Sequence, residues 1–308
     1  MKPLVIAMPG ETELGQALAR SVDGDLADRE IRSFPDGESY IRIDSPVEGR
    51  EVIVACSLDE PNQKAMPLLY VADTVRDLRA ARIGLVSPYL AYMRQDARFR
   101  PGEGVTSHYF GRLLSGVFDW MITVDPHLHR HSGLDDIYSI PTRIVEAARP
   151  IARWIAERVD DPLLVGPDEE SAQWVHAVAE AGSFPSIILE KIRHGDYDVE
   201  VGGSDLGGRV NQQPVLIDDI ISTGRTMLEA VRHLSELQFR PPICVGIHGL
   251  FVEDARAQLE GAGIAELVTC NTVAHDTNDI DIRPEVGRAA AELLGRQGRA
   301  SQMSSGVV

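Results

Sequence analysis

The chain is poor in basic residues, cysteine and long apolar runs, and each shortage closes off a class of function. Thirty Lys and Arg stand against 47 Asp and Glu, a formal charge of −17 over 308 residues. So acidic a chain lacks the basic footprint that nucleic acid requires, and no nucleic-acid partner is expected. A local basic pocket for a phosphorylated substrate is still compatible with it. The three cysteines, Cys56, Cys244 and Cys270, each lie in or after an apolar run and fit no metal-knuckle spacing. They read as small buried side chains in a reducing compartment rather than a disulfide framework. No apolar run approaches membrane-spanning length, and residues 1–7 meet Pro9-Gly10 too soon for a signal h-region. The expectation is a soluble, cytoplasmic protein with no membrane partner.

What is present is regular alternation. Strand-like apolar runs occur at 4–8, 40–43, 52–56, 83–87, 121–125, 163–166, 187–190, 215–217, 244–248 and 267–270. Helical patterns fill the gaps at 13–20, 64–80, 106–115, 143–157, 171–181, 226–237, 254–260 and 285–296. Such alternation predicts an α/β protein with parallel sheets covered on both faces, and the length suggests about two domains. Pro141 marks the expected boundary, giving domains over 1–142 and 143–284. A C-terminal helix over 285–300 is a candidate to pack back on the first domain, and the small, polar tail 301–308 is expected to be disordered. No convincing sequence repeat relates the halves.

The stretch that organises the chain is Pro214-Val215-Leu216-Ile217-Asp218-Asp219-Ile220-Ile221-Ser222-Thr223-Gly224-Arg225-Thr226. It reads as a buried strand, a small-residue loop and a helix beginning at Thr226. Free N–H groups at the helix start, its dipole, and the Ser222, Thr223 and Thr226 hydroxyls make an anion cradle of phosphate size. Gly224 lets the backbone approach the anion. Asp218 and Asp219 cannot hold phosphate and so suit hydroxyls or a metal. Phosphate beside hydroxyls suggests a ribose 5-phosphate unit; a capped helix after an acidic strand end is the plainer alternative.

Further runs carry chemistry. Phe34-Pro35-Asp36-Gly37-Glu38 reads as a hairpin turn, or as an aromatic face for a base with Asp36 and Glu38 as acceptors. In Pro88-Tyr89-Leu90-Ala91-Tyr92-Met93-Arg94-Gln95-Asp96 a guanidinium and an amide stand side by side at a strand end, able to grip polyphosphate and purine edges. Thr123-Val124-Asp125-Pro126-His127-Leu128-His129-Arg130-His131 clusters imidazoles, which would suit zinc. Pro167-Asp168-Glu169-Glu170 brings carboxylates to a helix start, where capping is the commoner role. In Lys191-Ile192-Arg193 two cations alternate off a strand end and point one way, which suits an anion there; a solvated basic strand end is the plainer alternative. The glycines of 202–208 then fit a mobile flap.

Together, and in this order, these runs resemble the PRPP synthetase (ribose-phosphate diphosphokinase) family over nearly the whole chain. The continuation Ala97-Arg98-Phe99-Arg100-Pro101-Gly102-Glu103 is closest to its archaeal-type branch. The resemblance implies two type I phosphoribosyltransferase-like domains related by a pseudo-twofold axis. It implies ATP binding by Phe34, Asp36, Gly37, Glu38, Arg94, Gln95 and Asp96, the hairpin coming from a neighbouring subunit of a homodimer or larger assembly. Ribose 5-phosphate falls to Asp218, Asp219, Ser222, Thr223, Gly224, Arg225 and Thr226. Magnesium, the implied cofactor, falls to His127 and Asp168; catalysis falls to Lys191 and Arg193. His129 and His131 have no assigned counterpart and are expected at the surface. The alternatives are a non-catalytic PRPP-sensing relative, disfavoured because Lys191 and Arg193 are both present, and a phosphoribosyltransferase, which would lack the Phe34–Glu38 and Arg94–Asp96 runs.

Overall fold

Apolar runs of four to seven residues flanked by helices form parallel strands here, because only a sheet covered on both faces buries such runs completely. The computed structural model describes residues 1–128, 130–191, 197–198 and 208–304. The chain divides into two units, Met1–Val145 with Arg283–Val308, and Glu146–Ile282.

The first unit begins β1 (Leu4–Ala7), α1 (Thr12–Ser21), β2 (Asp25–Leu26), β3 (Arg29–Ser33), β4 (Ser39–Ile43), β5 (Glu51–Ala55) and α2 (Pro61–Asp77). It continues through β6 (Arg82–Ser87), α3 (Thr106–Val117), β7 (Trp120–Val124) and β8 (Thr142–Val145). Its sheet runs β2-β1-β5-β6-β7-β8, parallel throughout, and β3-β4 form a separate antiparallel hairpin.

The second unit runs α4 (Ala148–Arg158), β9 (Pro162–Gly166), α5 (Ala172–Gly182), β10 (Ser186–Ile188), β11 (Glu190–Lys191) and β12 (Tyr197–Asp198). Next come β13 (Gln213–Ile221), α6 (Arg225–Glu236), β14 (Ile243–Gly249), α7 (Ala255–Gly261), β15 (Glu266–Cys270) and β16 (Asn278–Ile280). Its parallel sheet runs β10-β9-β13-β14-β15-β16, with β11-β12 set apart as an antiparallel pair. Renumbered within each sheet, both orders are 2-1-3-4-5-6, each with an antiparallel pair inserted after the second strand. The repeat that the sequence does not show is plain in the topology.

Burial rather than capping holds these helices. None of α1 to α7 has a side-chain N-cap hydrogen bond, a device worth ~1 kcal/mol. In α6, by contrast, Met227, Leu228, Ala230, Val231 and Leu234 are all buried against β13 and its neighbours. Each large aliphatic among them contributes ~1.5–3 kcal/mol, so the apolar stripe dominates.

Three expectations are revised. Residues 142–145 are strand β8, not helix: their β-branched side chains suit the sheet edge, and α4 starts only at Ala148. Strand β13 continues past its apolar run through both aspartates, because β14 offers partners as far as Gly249. The last helix, α8 (Arg283–Ser304), packs on α1 in the first unit, with Arg283 paired to Glu13, and runs into the stretch expected to be a tail. All three cysteines are free and buried. Among the described residues no helix is long and apolar enough to cross a membrane.

Candidate active site

In the first unit, two loops leave the C-terminal ends of adjacent strands. Ser87 of β6 lies in register with Thr123 of β7, so the loops after them start side by side. They are braced at once: Val124 N–H donates to the Pro88 carbonyl (3.1 Å), and Leu58 N–H to that of Tyr89 (3.0 Å). Tyr92 has a left-handed φ of 60°, which its side chain fixes by packing on the Phe110 ring and bonding to Asn62. Two residues later Arg94 is exposed, with no ion pair among the described residues. Gln95 is anchored: its Oε1 accepts from the Thr106 hydroxyl (3.1 Å) and its carbonyl from Ser107 N–H (3.4 Å). The Asp96 carboxylate turns inward, only 3% exposed, against Arg130.

On the neighbouring loop His127 is half-buried. His129 lies outside the described residues. His131 is not the surface residue expected: its side chain is 12% exposed, held edge-on against His108 of α3. An α3 helix passing beside this loop, well earlier in sequence, gave no local signal of that contact.

Hairpin β3-β4 presents Phe34, Asp36, Gly37 and Glu38 together at its exposed tip. Gly37, with φ of 92°, closes the turn, and Glu38 N–H donates to Asp36 Oδ1 (3.2 Å). The Arg32 guanidinium lies over both the Phe34 and Tyr40 rings, so the aromatic is held in a fixed stack although 39% exposed.

In the second unit the same sheet edge gathers carboxylates. β9 and β13 are neighbours, with Leu216 opposite Val165, so Asp168 follows the end of one strand while Asp218 and Asp219 lie near the end of the other, ahead of Ile221. Asp168 is clasped by Ser171: Ser171 N–H donates to its Oδ1 (3.0 Å) and the Ser171 hydroxyl to its carbonyl (2.6 Å). Burial first, then the charges of Asp219 and Asp168, push the Asp218 carboxyl well above the usual range. Burial, with Glu170 and Asp219, raises Asp168 too. Like charges held this close call for a cation or hydroxyl donors to relieve them. Among the described residues no three His, Cys, Asp or Glu converge as a closed metal cage. Hard oxygen donors few in number suit magnesium, which keeps several waters.

Beyond Ile221 the chain turns through Ser222 and Thr223 to Gly224, whose φ of 70° places it just before α6. The helix opens at Arg225, one residue earlier than expected. Leu228 N–H closes the first turn on the Gly224 carbonyl (2.8 Å). Among the described residues the N–H groups of Arg225, Thr226 and Met227 and the hydroxyls of Ser222, Thr223 and Thr226 make no hydrogen bond. A β-carbon on Gly224 would meet Leu259 and Ala255 nearest, at ordinary contact distances of 3.4 and 3.6 Å. Within the chain, the glycine is therefore demanded by φ rather than by crowding.

Lys191 ends β11, opposite Tyr197 of β12; Arg193 and glycines 202–207 lie outside the described residues. Two residues escaped the sequence reading. Ser171 had a local signal, the Asp-x-x-Ser spacing before a helix. Arg130 had none, because its partner Asp96 is 34 positions away.

The corresponding junction in the first unit, β5 into α2, is closed on itself. Glu11 Oε1 accepts from Ser57 N–H (2.8 Å), Lys64 Nζ donates to the Ser57 carbonyl (3.0 Å) and pairs with Asp59, and Pro61 opens the helix after Glu60.

Comparison with known proteins bears on the family and the fold. Residues 4–117 match the model of the N-terminal domain of ribose phosphate pyrophosphokinase, and residues 135–282 that of the phosphoribosyl transferase domain. A ribose-phosphate pyrophosphokinase of Methanopyrus kandleri is 31% identical over 294 residues, covering 95% of this chain and all of the relative. That of Saccharolobus solfataricus is 32% identical over 285 residues, covering 91% and 95%. The crystal structure of phosphoribosylpyrophosphate synthetase from Mycobacterium smegmatis superposes with a TM-score of 0.83 at 25% identity, covering 96% of this chain and all of that one. With both units matched and relatives above 30% identity along nearly their full length, the chain belongs to the ribose-phosphate pyrophosphokinase family.

Proposed function

We propose that the protein transfers the β,γ-diphosphoryl group of ATP to the C1 hydroxyl of ribose 5-phosphate, giving PRPP and AMP. The observation that carries this is the junction of β13 with α6: paired carboxylates for sugar hydroxyls, then unsatisfied N–H and hydroxyl groups for a phosphate. Asp218 and Asp219 bind the ribose hydroxyls, while Ser222, Thr223, Gly224, Arg225 and Thr226 enclose the 5-phosphate. Phe34 stacks on the adenine with Asp36, Gly37 and Glu38 around its edge, and Arg94 and Gln95 take the polyphosphate. The exposed hairpin serves a neighbouring subunit, which makes the active assembly a homodimer or larger.

Asp168 and His127 would each offer magnesium a donor, an oxygen and an imidazole, and the ion would supply neutralisation of charge on the polyphosphate. The C1 hydroxyl attacks the β-phosphorus and AMP leaves, so catalysis is positioning and charge neutralisation. Lys191 and Arg193 stabilise charge on the diphosphoryl group in flight. The setting is cytoplasmic, where ATP is available.

Incubation with magnesium, ribose 5-phosphate and ATP should yield AMP and PRPP in equal amounts. Lys191→Ala should abolish both while leaving ribose 5-phosphate binding intact. Absence of AMP with PRPP still bound would leave the sensing relative as the working hypothesis.

A further inference from the structure

We propose that Arg130 is a positioning residue for the nucleotide, and that Asp96 acts by holding Arg130 rather than by touching ATP. The inference rests on the ATP role given above to Arg94 and Gln95.

The geometry is specific. Arg130 Nη1 donates to both Asp96 oxygens, at 2.9 and 3.2 Å, and its guanidinium lies 4.9 Å from the Phe99 ring centroid. The Asp96 side chain is 3% exposed and that of Arg130 is 55% exposed. A carboxylate so deeply placed has no open face to offer a ligand, whereas the arginine closes over it from the solvent side. The pair joins the loop after β6 to the loop after β7, three residues beyond His127. With Tyr92 and Gln95 fixed on the near side, the Asp96–Arg130 contact fixes the far side, and exposed Arg94 lies between the anchors. On the partner loop, Ser132 donates to Asp136 through its N–H (2.9 Å) and hydroxyl (3.1 Å), so Arg130 departs from a braced segment.

Removing the arginine leaves a buried carboxylate uncompensated, and the loop must open to hydrate it. Arg94 and Gln95 then lose their fixed aim at the polyphosphate. Because a single nitrogen makes both contacts, an ammonium can replace it in part.

The test uses the full chain and the variants Arg130→Ala, Arg130→Lys, Asp96→Asn and Asp96→Asn/Arg130→Ala. Arg130→Ala should raise KM for ATP about tenfold to a hundredfold, with KM for ribose 5-phosphate unchanged. Arg130→Lys should recover part of that loss. Asp96→Asn should resemble Arg130→Ala, and the double variant should be no worse than either single one. Unchanged KM for ATP in Arg130→Ala would overturn the proposal. So would loss of ATP binding in Asp96→Asn alone, since Asp96 would then contact the nucleotide itself. Equal rises in both KM values with a lowered Tm would show a merely structural pair and overturn it as well. Amide exchange over residues 93–100 in the ligand-free proteins decides the latch even if wild type makes no AMP. Faster exchange in Arg130→Ala upholds it, and unchanged exchange overturns it.

Discussion

Asp218→Asn should make the ligand-free protein more stable at neutral pH and unable to hold its sugar phosphate. Asp218 is raised by burial and by the charges of Asp219 and Asp168, so the folded state binds its proton more tightly than the unfolded chain does. Stability must then fall as pH rises from the ordinary value of 3.8 through the raised one, and the whole penalty is present above it. Every tenfold gain in proton affinity corresponds to ~1.4 kcal/mol. Asparagine keeps the shape and, through Oδ1, the bond from Asp219 N–H (3.0 Å), so it removes the charge and little else. The gain should raise Tm, by ~3 °C for every kcal/mol in a unit of this size.

The assay is thermal melting of both proteins at pH 7.5 and pH 4, with and without magnesium and ribose 5-phosphate. Without ligand, the Asp218→Asn variant should melt higher than wild type at pH 7.5, and the gap should shrink at pH 4. With ligand at about a hundredfold excess over Kd, wild type should gain about 3 kcal/mol and overtake the variant, which gains nothing. A ligand-free variant that melts lower at pH 7.5, or a gap that widens on acidification, would refute the reasoning.

Gly224→Ala should cost about 1 kcal/mol through its left-handed φ, while Gly224→Asn recovers part of that; urea unfolding measures both, and ribose 5-phosphate affinity should follow stability rather than side-chain size. Burial pushes the Cys56 and Cys244 thiols up to about 12, so a thiol reagent at about pH 8 should label neither before unfolding, and fast labelling of the native protein would contradict their placement.

Legibility in the sequence followed the range of the interaction. Strands such as β1, β9 and β14 were readable because burial on both faces leaves a run of apolar residues. The short edge strands β2, β8 and β16 were not, since half-exposed residues at a sheet margin carry no such run. The helix start behind Gly224 was readable to within one residue, because glycine and hydroxyl residues are demanded locally by the turn. The raised proton affinity of Asp218 was not, for its largest cause is burial, which only the fold decides, followed by the charges of Asp219 and of Asp168 in the loop after β9. Nor was the Asp96–Arg130 contact, which only the parallel register of β6 and β7 brings together.

Two sheets of one strand order place a third strand and its helix in equivalent settings, yet the two junctions satisfy the helix start by opposite means. Between β5 and α2 the negative charge is built into the polypeptide: Asp59 and Glu60 stand at the positive end of the helix, and Lys64 ties the corner shut. Between β13 and α6 no such residue stands in the loop, and the helix start is left open to an anion from solution. One copy thus carries its anion covalently, whereas the other would exchange one with solvent. A chain assembled from two like halves in this way leaves one helix start, not two, open to a phosphate.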